Sequence, residues 1–398
     1  MRQGDSVLRD RCQYLVRFPS EVFLPEGEPE PDEDGDTPHV LFRAKKDPRD
    51  LKLLDPGVGS GHFLLYSFSV LNAIYEEAWA DPDLPGLKRD FPTIEQLRAA
   101  VPALILERNL FGIDIDLRAT QIAAFALWLR AQAAYQRLGL ERTERPTIAR
   151  TNIVCAEPMP GERDLLDQFL EGVTPKVLSE IVVDVFEHMK LAGEVGSLLR
   201  IDQEISASIA AARAAWLAQP QPEQLSLFGE KAVKEPRLQY TLFDITDEQF
   251  WNEAEDRIVQ LLDDFASASQ APDRRLFASD AAQGFAFVDL CRQSFDVVLM
   301  NPPFGAASIP SKSYIERTYP RSKQDVYAAF VERGLAWLVP RGMLGAITSR
   351  TGFFLSTFQK WREEIILGEA QPTVFADLGQ GVLDTAMVET AAYCLLHA

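Results

Sequence analysis

The sequence predicts an α/β protein built on a largely parallel sheet covered on both faces. Strand-length apolar runs alternate with helical stretches through much of the chain. A glycine-rich turn follows the first run and opens a helix. With 46% hydrophobic and 25% charged residues among 398, the chain also has apolar mass for one large or two small cores.

The elements follow in order. Residues 24–50 are rich in proline, glycine and acids and read as a flexible surface loop, so a folded unit begins near Leu51. LKLLD (51–55), LFGID (110–114) and NIVCAE (152–157) read as strands separated by helices over 62–79 and 117–135. The alternation then stops. Residues 161–270 read mostly as helices, including SEIVVDVFEHMKLAG and DQEISASIAAARAAWLAQ, with a polar break at 219–238. Strand signals return with FDVVLM (295–300), GMLGAIT (342–348), TVFADLG (373–379) and AAYCLLH (391–397). The chain therefore divides into an extension with an acidic loop (1–50), a first half of the sheet unit (51–160), an acidic helical insertion between the third and fourth strands (161–294) and a second half (295–398).

A net charge of −19 argues against a nucleic-acid partner until its distribution is read. Residues 26–36 hold seven acids and no base, and residues 161–294 hold 24 acids against 12 bases, so the remainder is near neutral. Within it Lys312, Arg317, Arg321 and Lys323 form a basic lip opposed only by Glu316. The cysteines (Cys12, Cys155, Cys291, Cys394) stand singly, which excludes a disulfide framework and a thiolate zinc site. His39, His62, His188 and His397 are isolated, so no metal is implied; His62 is expected to pack at the first turn of its helix. With no apolar leader at Met1 and no run of ~18 apolar residues, the expectation is a soluble, cytoplasmic protein with no membrane partner.

In LKLLDPGVGSGHFLL, Asp55 ends a strand and Gly57, Gly59 and Gly61 precede a helix. Glycines there permit positive φ and close ligand approach, and the helix start offers free N–H groups. The G-x-G-x-G spacing after Asp-Pro departs from the dinucleotide fingerprint. A carboxylate at this place repels a pyrophosphate and suits a cation such as the ammonium of S-adenosylmethionine. Asp114, ending the second strand, is placed for ribose hydroxyls, with Ile115 against an adenine ring, while Asp116 caps the next helix.

FDVVLMNPPFG sends a buried strand directly into Asn301, Pro302, Pro303 and Phe304. The prolines stiffen the backbone and remove two donors. The Asn301 side-chain oxygen and the Pro302 carbonyl can each accept one N–H of an exocyclic amine, and Phe304 can stack on the ring that bears it.

DPGVGSGHFL, GIDID and NPPF, in that order, resemble the gamma arrangement of amino-group adenine-N6 DNA methyltransferases. KKDPRDLKLLDP, NIVCAEPMPG, AGEVGSLLRIDQEI and TAMVETAAYCLL extend the likeness, over most of residues 45–397, to the PglX methyltransferases of BREX phage-defence systems. The resemblance implies a Rossmann-like, seven-stranded, S-adenosyl-L-methionine-dependent methyltransferase sheet. It implies that Asp55, Gly57, Gly59, Gly61, Asp114 and Ile115 hold the cofactor with Glu157 near its adenine, and that Asn301 to Phe304 are catalytic. The implied partners are double-stranded DNA with one adenine flipped from the stack, together with other phage-defence subunits or a target-recognition region.

Against that pattern the chain is expected to be truncated at both ends. Thr37-Pro38 leads into no closing helix, and no reader follows the last strand. The loop expected to supply a second aromatic offers Val382 and Leu383. A capping role falls to Ser322 or Asp325, and Trp216, Phe250 and Trp251 read as core. The sequence 224–228 (QLSLF) resembles a sliding-clamp docking peptide. An RNA-base or protein-glutamine methyltransferase and a non-catalytic binding fragment remain as rivals. A dinucleotide oxidoreductase rests on the glycine turn alone.

Overall fold

In the computed structural model, residues 22–24, 27, 39–40, 44–217, 246–268, 272–382 and 388–398 are described. The acidic run, Thr37-Pro38, Leu383 and the 224–228 peptide lie outside them, apart from Gly27 within the run.

Seven strands make one mixed sheet: β1 (Leu53–Asp55), β2 (Leu110–Asp114), β3 (Asn152–Cys155), β4 (Phe295–Met300), β5 (Leu338–Ser349), β6 (Ala370–Gly379) and β7 (Thr390–His397). Their spatial order is β3-β2-β1-β4-β5-β7-β6. The first five are parallel, and β7 inserts antiparallel between β5 and β6. Runs such as FDVVLM and LFGID are apolar at nearly every position because helices cover both faces of a parallel sheet. A short parallel pair, Val22–Phe23 with His39–Val40, lies outside this sheet.

The order reverses at β1, whose neighbours are β2 and β4. Leu54 pairs with Phe111 on one side and Val298 on the other. The Asp296 carboxylate fixes the β1–β4 seam by accepting the Lys52 backbone N–H at 2.9 Å and pairing with Lys46 at 2.8 Å. In open α/β sheets a reversal of this kind opens a crevice at the carboxyl ends of the strands. Both sequence motifs lie at that edge.

Helices α1 (His62–Ala80), α2 (Ile94–Leu104) and α3 (Leu117–Arg137) cover one face around Leu64, Phe68, Leu97, Leu127 and Tyr135. The Thr93–Gln96 capping box starts α2. Between β3 and β4 the chain forms α4 (Arg163–Gly172), α5 (Val177–His188), α6 (Ser206–Leu217), α7 (Asp247–Ser267) and α8 (Pro272–Arg292). Their buried residues, Phe250 and Trp251 among them, join the same apolar cluster as Leu54, Phe111 and Val298 of the sheet. Trp216 packs against that cluster with its ring 6.4 Å from Phe250. Helices α9 (Ile309–Thr318) and α10 (Val326–Ala336) connect β4 to β5. Among the described residues no helix is long and apolar enough to cross a membrane.

A candidate active site at the carboxyl edge of the sheet

The turn after β1 is held by its neighbours. The Val58 N–H donates to the Ile113 carbonyl at 2.9 Å, and the Gly59 N–H donates to Asp114 Oδ2 at 2.9 Å. The other oxygen of Asp114 accepts the Asp116 N–H at 2.9 Å, so the carboxylate that ends β2 is fixed from both sides. Gly59 (φ +50°) and Gly61 (φ +84°) occupy the left-handed region, where a side chain is strained. A Cβ on Gly61 would stand 3.2 Å from that of Ala123 on α3, whereas nothing lies within 4 Å of the equivalent point on Gly59. The turn is thus tight against α3 and open at Gly59. Gly57 has no positive φ; the Phe330 ring lies 3.8 Å from the place its Cβ would take.

Asp55 is 1% exposed and accepts the Gly57 N–H at 3.1 Å. Among the described residues no cationic side chain forms an ion pair with it. Burial pushes its carboxyl up to about 7, opposed by the Gly57 hydrogen bond and reinforced by the nearby charge of Asp114. A buried carboxylate in this state suits an external cation. Ile115 is half exposed beside the turn, and Asp116 caps α3 through the Arg118 N–H at 2.8 Å. Glu157 is half-buried beyond the end of β3.

The tetrapeptide leaves β4 at the same edge. Val298 of β4 is level with Leu54 of β1, and Met300 is level with Ala346 of β5, so Asn301 begins where the neighbouring strand reaches the glycine turn. Asn301 and Pro303 are exposed, Pro302 is buried and Phe304 is half-buried with its ring 6.2 Å from Tyr327. The far end of the loop is clamped. Asp325, the N-cap of α10, accepts the Gly305 N–H at 2.9 Å and the Tyr327 N–H at 3.3 Å, and the Val326 N–H donates to the Gly305 carbonyl at 2.9 Å. Burial raises the Asp325 carboxyl above its usual range, against the opposing backbone N–H groups.

Two details differ from the sequence reading, and one open choice is resolved. His62 is exposed, not packed, with Nδ1 2.9 Å from Ser60 Oγ, because its place at the helix start faces outwards. Of the two cap candidates Asp325 starts α10, while Ser322 is fully buried and donates to Glu332 at 2.5 Å. Arg321 is bound by Glu332 and Glu369 within the fold, which leaves Lys312, Arg317 and Lys323 as the exposed cations of the lip. Val382, on the loop that was to supply an aromatic, is exposed.

Sequence reasoning gave no role to several residues that support this edge. The Ser197 hydroxyl donates to the Pro56 carbonyl in the glycine turn at 2.7 Å. Arg333 on α10, 1% exposed, pairs with Asp202 at 2.6 Å while its guanidinium lies 4.0 Å from the Trp337 ring centre. The segment AGEVGSLLRIDQEI contributed to the family likeness, but neither strand alternation nor glycine spacing says what it touches.

The chain is similar to the adenine-specific methyltransferase BrxX of Escherichia coli O9:H4 (strain HS), with 24% identity across 98% of this chain and 28% of that protein. It is also similar to the adenine-specific methyltransferase PglX of Lacticaseibacillus casei (strain Zhang), with 24% identity across 96% of this chain and 26% of that protein. A putative type II restriction enzyme and methyltransferase of Methanocaldococcus jannaschii is 34% identical over 116 residues, 29% of this chain and 9% of that protein. The chain thus spans little more than a quarter of the length of the first two relatives. The cofactor is S-adenosyl-L-methionine, and the residues present fit it: Asp55 is buried and, among the described residues, without a cationic partner, the turn is open at Gly59, and the Asp114 carboxylate is fixed beside it. Residues 108–380, well over half of the chain, match the Eco57I restriction-modification methylase family, and the chain belongs to that family.

Proposed function

We propose that this chain is the methyl-transferring core of an adenine-N6 DNA methyltransferase acting in a phage-defence or restriction-modification system. The observation that carries the reading is the emergence of Asn301-Pro302-Pro303-Phe304 from β4 beside the Asp55–Gly61 turn of its parallel neighbour β1. When bound, S-adenosyl-L-methionine supplies a methyl group on a positively charged sulfur. Asp55 serves its ammonium, Asp114 its ribose, Ile115 and Glu157 its adenine end.

The chain's own residues then manage the acceptor. Asn301 Oδ1 and the Pro302 carbonyl accept the two N–H groups of the adenine amine, which draws its lone pair out of ring conjugation. Phe304 offers a stacking face for the extruded base, worth ~1–3 kcal/mol against a flipping cost of a few kcal/mol. Asp325 holds the loop at Gly305 so that both acceptors stay aligned. The amine becomes more acidic as it gains the methyl group and loses its proton to water. Lys312, Arg317 and Lys323 lie after the loop, where a phosphate backbone can be met. The partners of the whole protein are duplex DNA and the remaining defence subunits or recognition region.

The test is tritiated methyl transfer with DNA, RNA and protein offered side by side. Label in N6-methyladenine of DNA is the expected result. Label in protein or RNA alone would overturn the DNA assignment, and cofactor binding without transfer to any acceptor would leave a binding fragment.

Asp55 makes the first step sensitive to pH. A cation favours its charged form, so binding is full above the free-state value of about 7 and weakens as pH falls through it. Affinity for S-adenosylhomocysteine, which keeps the ammonium, is expected to drop about tenfold between pH 8 and pH 6 in calorimetry. D55N should bind weakly at both values and lose that dependence.

A further inference from the structure

We infer that residues 194–202 of the helical block form a strap that positions the cofactor turn and ties it to the helices behind the tetrapeptide loop. This rests on the cofactor reading above and gives the block between β3 and β4 a working role in the site.

Two contacts reach the cofactor side. Ser197 is 2% exposed, and its hydroxyl donates to the carbonyl of Pro56, the residue between Asp55 and Gly57. Gly196 has φ +57° and ψ −135°, a conformation open in practice to glycine. A Cβ on it would fall 2.6 Å from Ile115 Cγ2, so the strap backs directly on the side chain assigned to the adenine end. Both walls of the cofactor site therefore lean on one short segment.

The same segment reaches the catalytic side. The Leu198 carbonyl accepts the Tyr319 hydroxyl at 2.7 Å, and the Arg200 N–H donates to the Tyr314 hydroxyl of α9 at 2.8 Å. Asp202 holds Arg333 of α10. Helix α10 carries Asp325 at its start, which clamps Gly305, and Arg333 two turns later. A shift of the strap is thus transmitted to the tetrapeptide through one rigid element. Ser197 and Gly196 touch no reacting atom and are positioning residues.

Removing the Ser197 hydroxyl leaves the Pro56 carbonyl without this donor in a buried place, and the turn must move to find another. Hydrogen exchange of the unliganded chain is expected to quicken at least fivefold over residues 57–61 in S197A. Calorimetry with S-adenosylhomocysteine should show about tenfold weaker binding, ~1.4 kcal/mol. G196A, which pushes on Ile115, should weaken binding by at least as much. In the wild type the same ligand should slow exchange over residues 308–319, and in S197A it should not. A folded S197A that binds within twofold of wild type with unchanged exchange at 57–61 overturns the strap. If S197A fails to fold, the binding and exchange of G196A decide in the same way. Failure of the wild type to bind S-adenosylhomocysteine would instead overturn the cofactor reading, and the unliganded exchange would still judge the strap.

Discussion

Replacing Asn301 by alanine is expected to slow methyl transfer to DNA by ~100- to 1,000-fold, the usual loss when one aligned polar group is removed from a charge-developing centre. Affinity for S-adenosylhomocysteine should stay within twofold, because Asn301 follows β4 whereas the cofactor contacts proposed above lie at the ends of β1, β2 and β3. Single-turnover label transfer separates the two effects. Asn301 is exposed and begins a loop anchored elsewhere, at buried Pro302 and at Gly305, so its truncation should leave the fold intact. Equal losses of rate and cofactor affinity would place Asn301 in the cofactor site and sink its role as an acceptor for the amine.

Arg333→Ala is expected to lower the unfolding free energy by about 3 kcal/mol, the lower end of the cost of breaking a buried ion pair. The lower end applies because the Asp202 side chain is 22% exposed and regains some water once Arg333 is gone. Burial alone would depress the Arg333 pKa, but Asp202 together with Tyr319 and Cys291 more than offsets it and holds the guanidinium above its ordinary value. The substitution also empties the space over Trp337 and removes the donor to the Ser197 carbonyl. Urea denaturation measures the change. Arg333→Lys keeps the charge without the planar fork and should fall between wild type and Arg333→Ala. A change below about 1 kcal/mol for Arg333→Ala would mean that the pair behaves as an exposed one.

Every strand core of the seven-stranded sheet was readable in the sequence, since LKLLD, LFGID and FDVVLM are apolar runs too short for helices and closed by turn residues, whereas the short pair Val22–Phe23 and His39–Val40 was not. Boundaries were less so. β5 begins at Leu338, earlier than GMLGAIT suggests, because Pro340 and Gly342 sit inside it and look like a break; Arg341 there takes a positive φ of 63°. The polar residues at the ends of β1, β2 and β4 stood out because carboxylates, glycines and an Asn-Pro-Pro run have no packing reason to follow buried strands. Ser197, Arg333 and Asp202 did not stand out. Their roles come from meeting across more than 100 residues, which local periodicity does not encode. The fate of Arg321 was hidden as well, because local periodicity does not encode its pairing with Glu332 and Glu369, 11 and 48 residues away.

The seam between β1 and β4 has a consequence for biosynthesis. The backbone N–H of Lys52 waits for the carboxylate of Asp296, 244 residues later, and β1 lacks one of its two neighbours until then. At roughly 5–20 residues per second, a ribosome takes on the order of ten seconds or more to deliver it. Throughout that interval an apolar strand edge is presented to the cell, so the nascent chain should be a client for chaperones that shield such edges until β4 emerges.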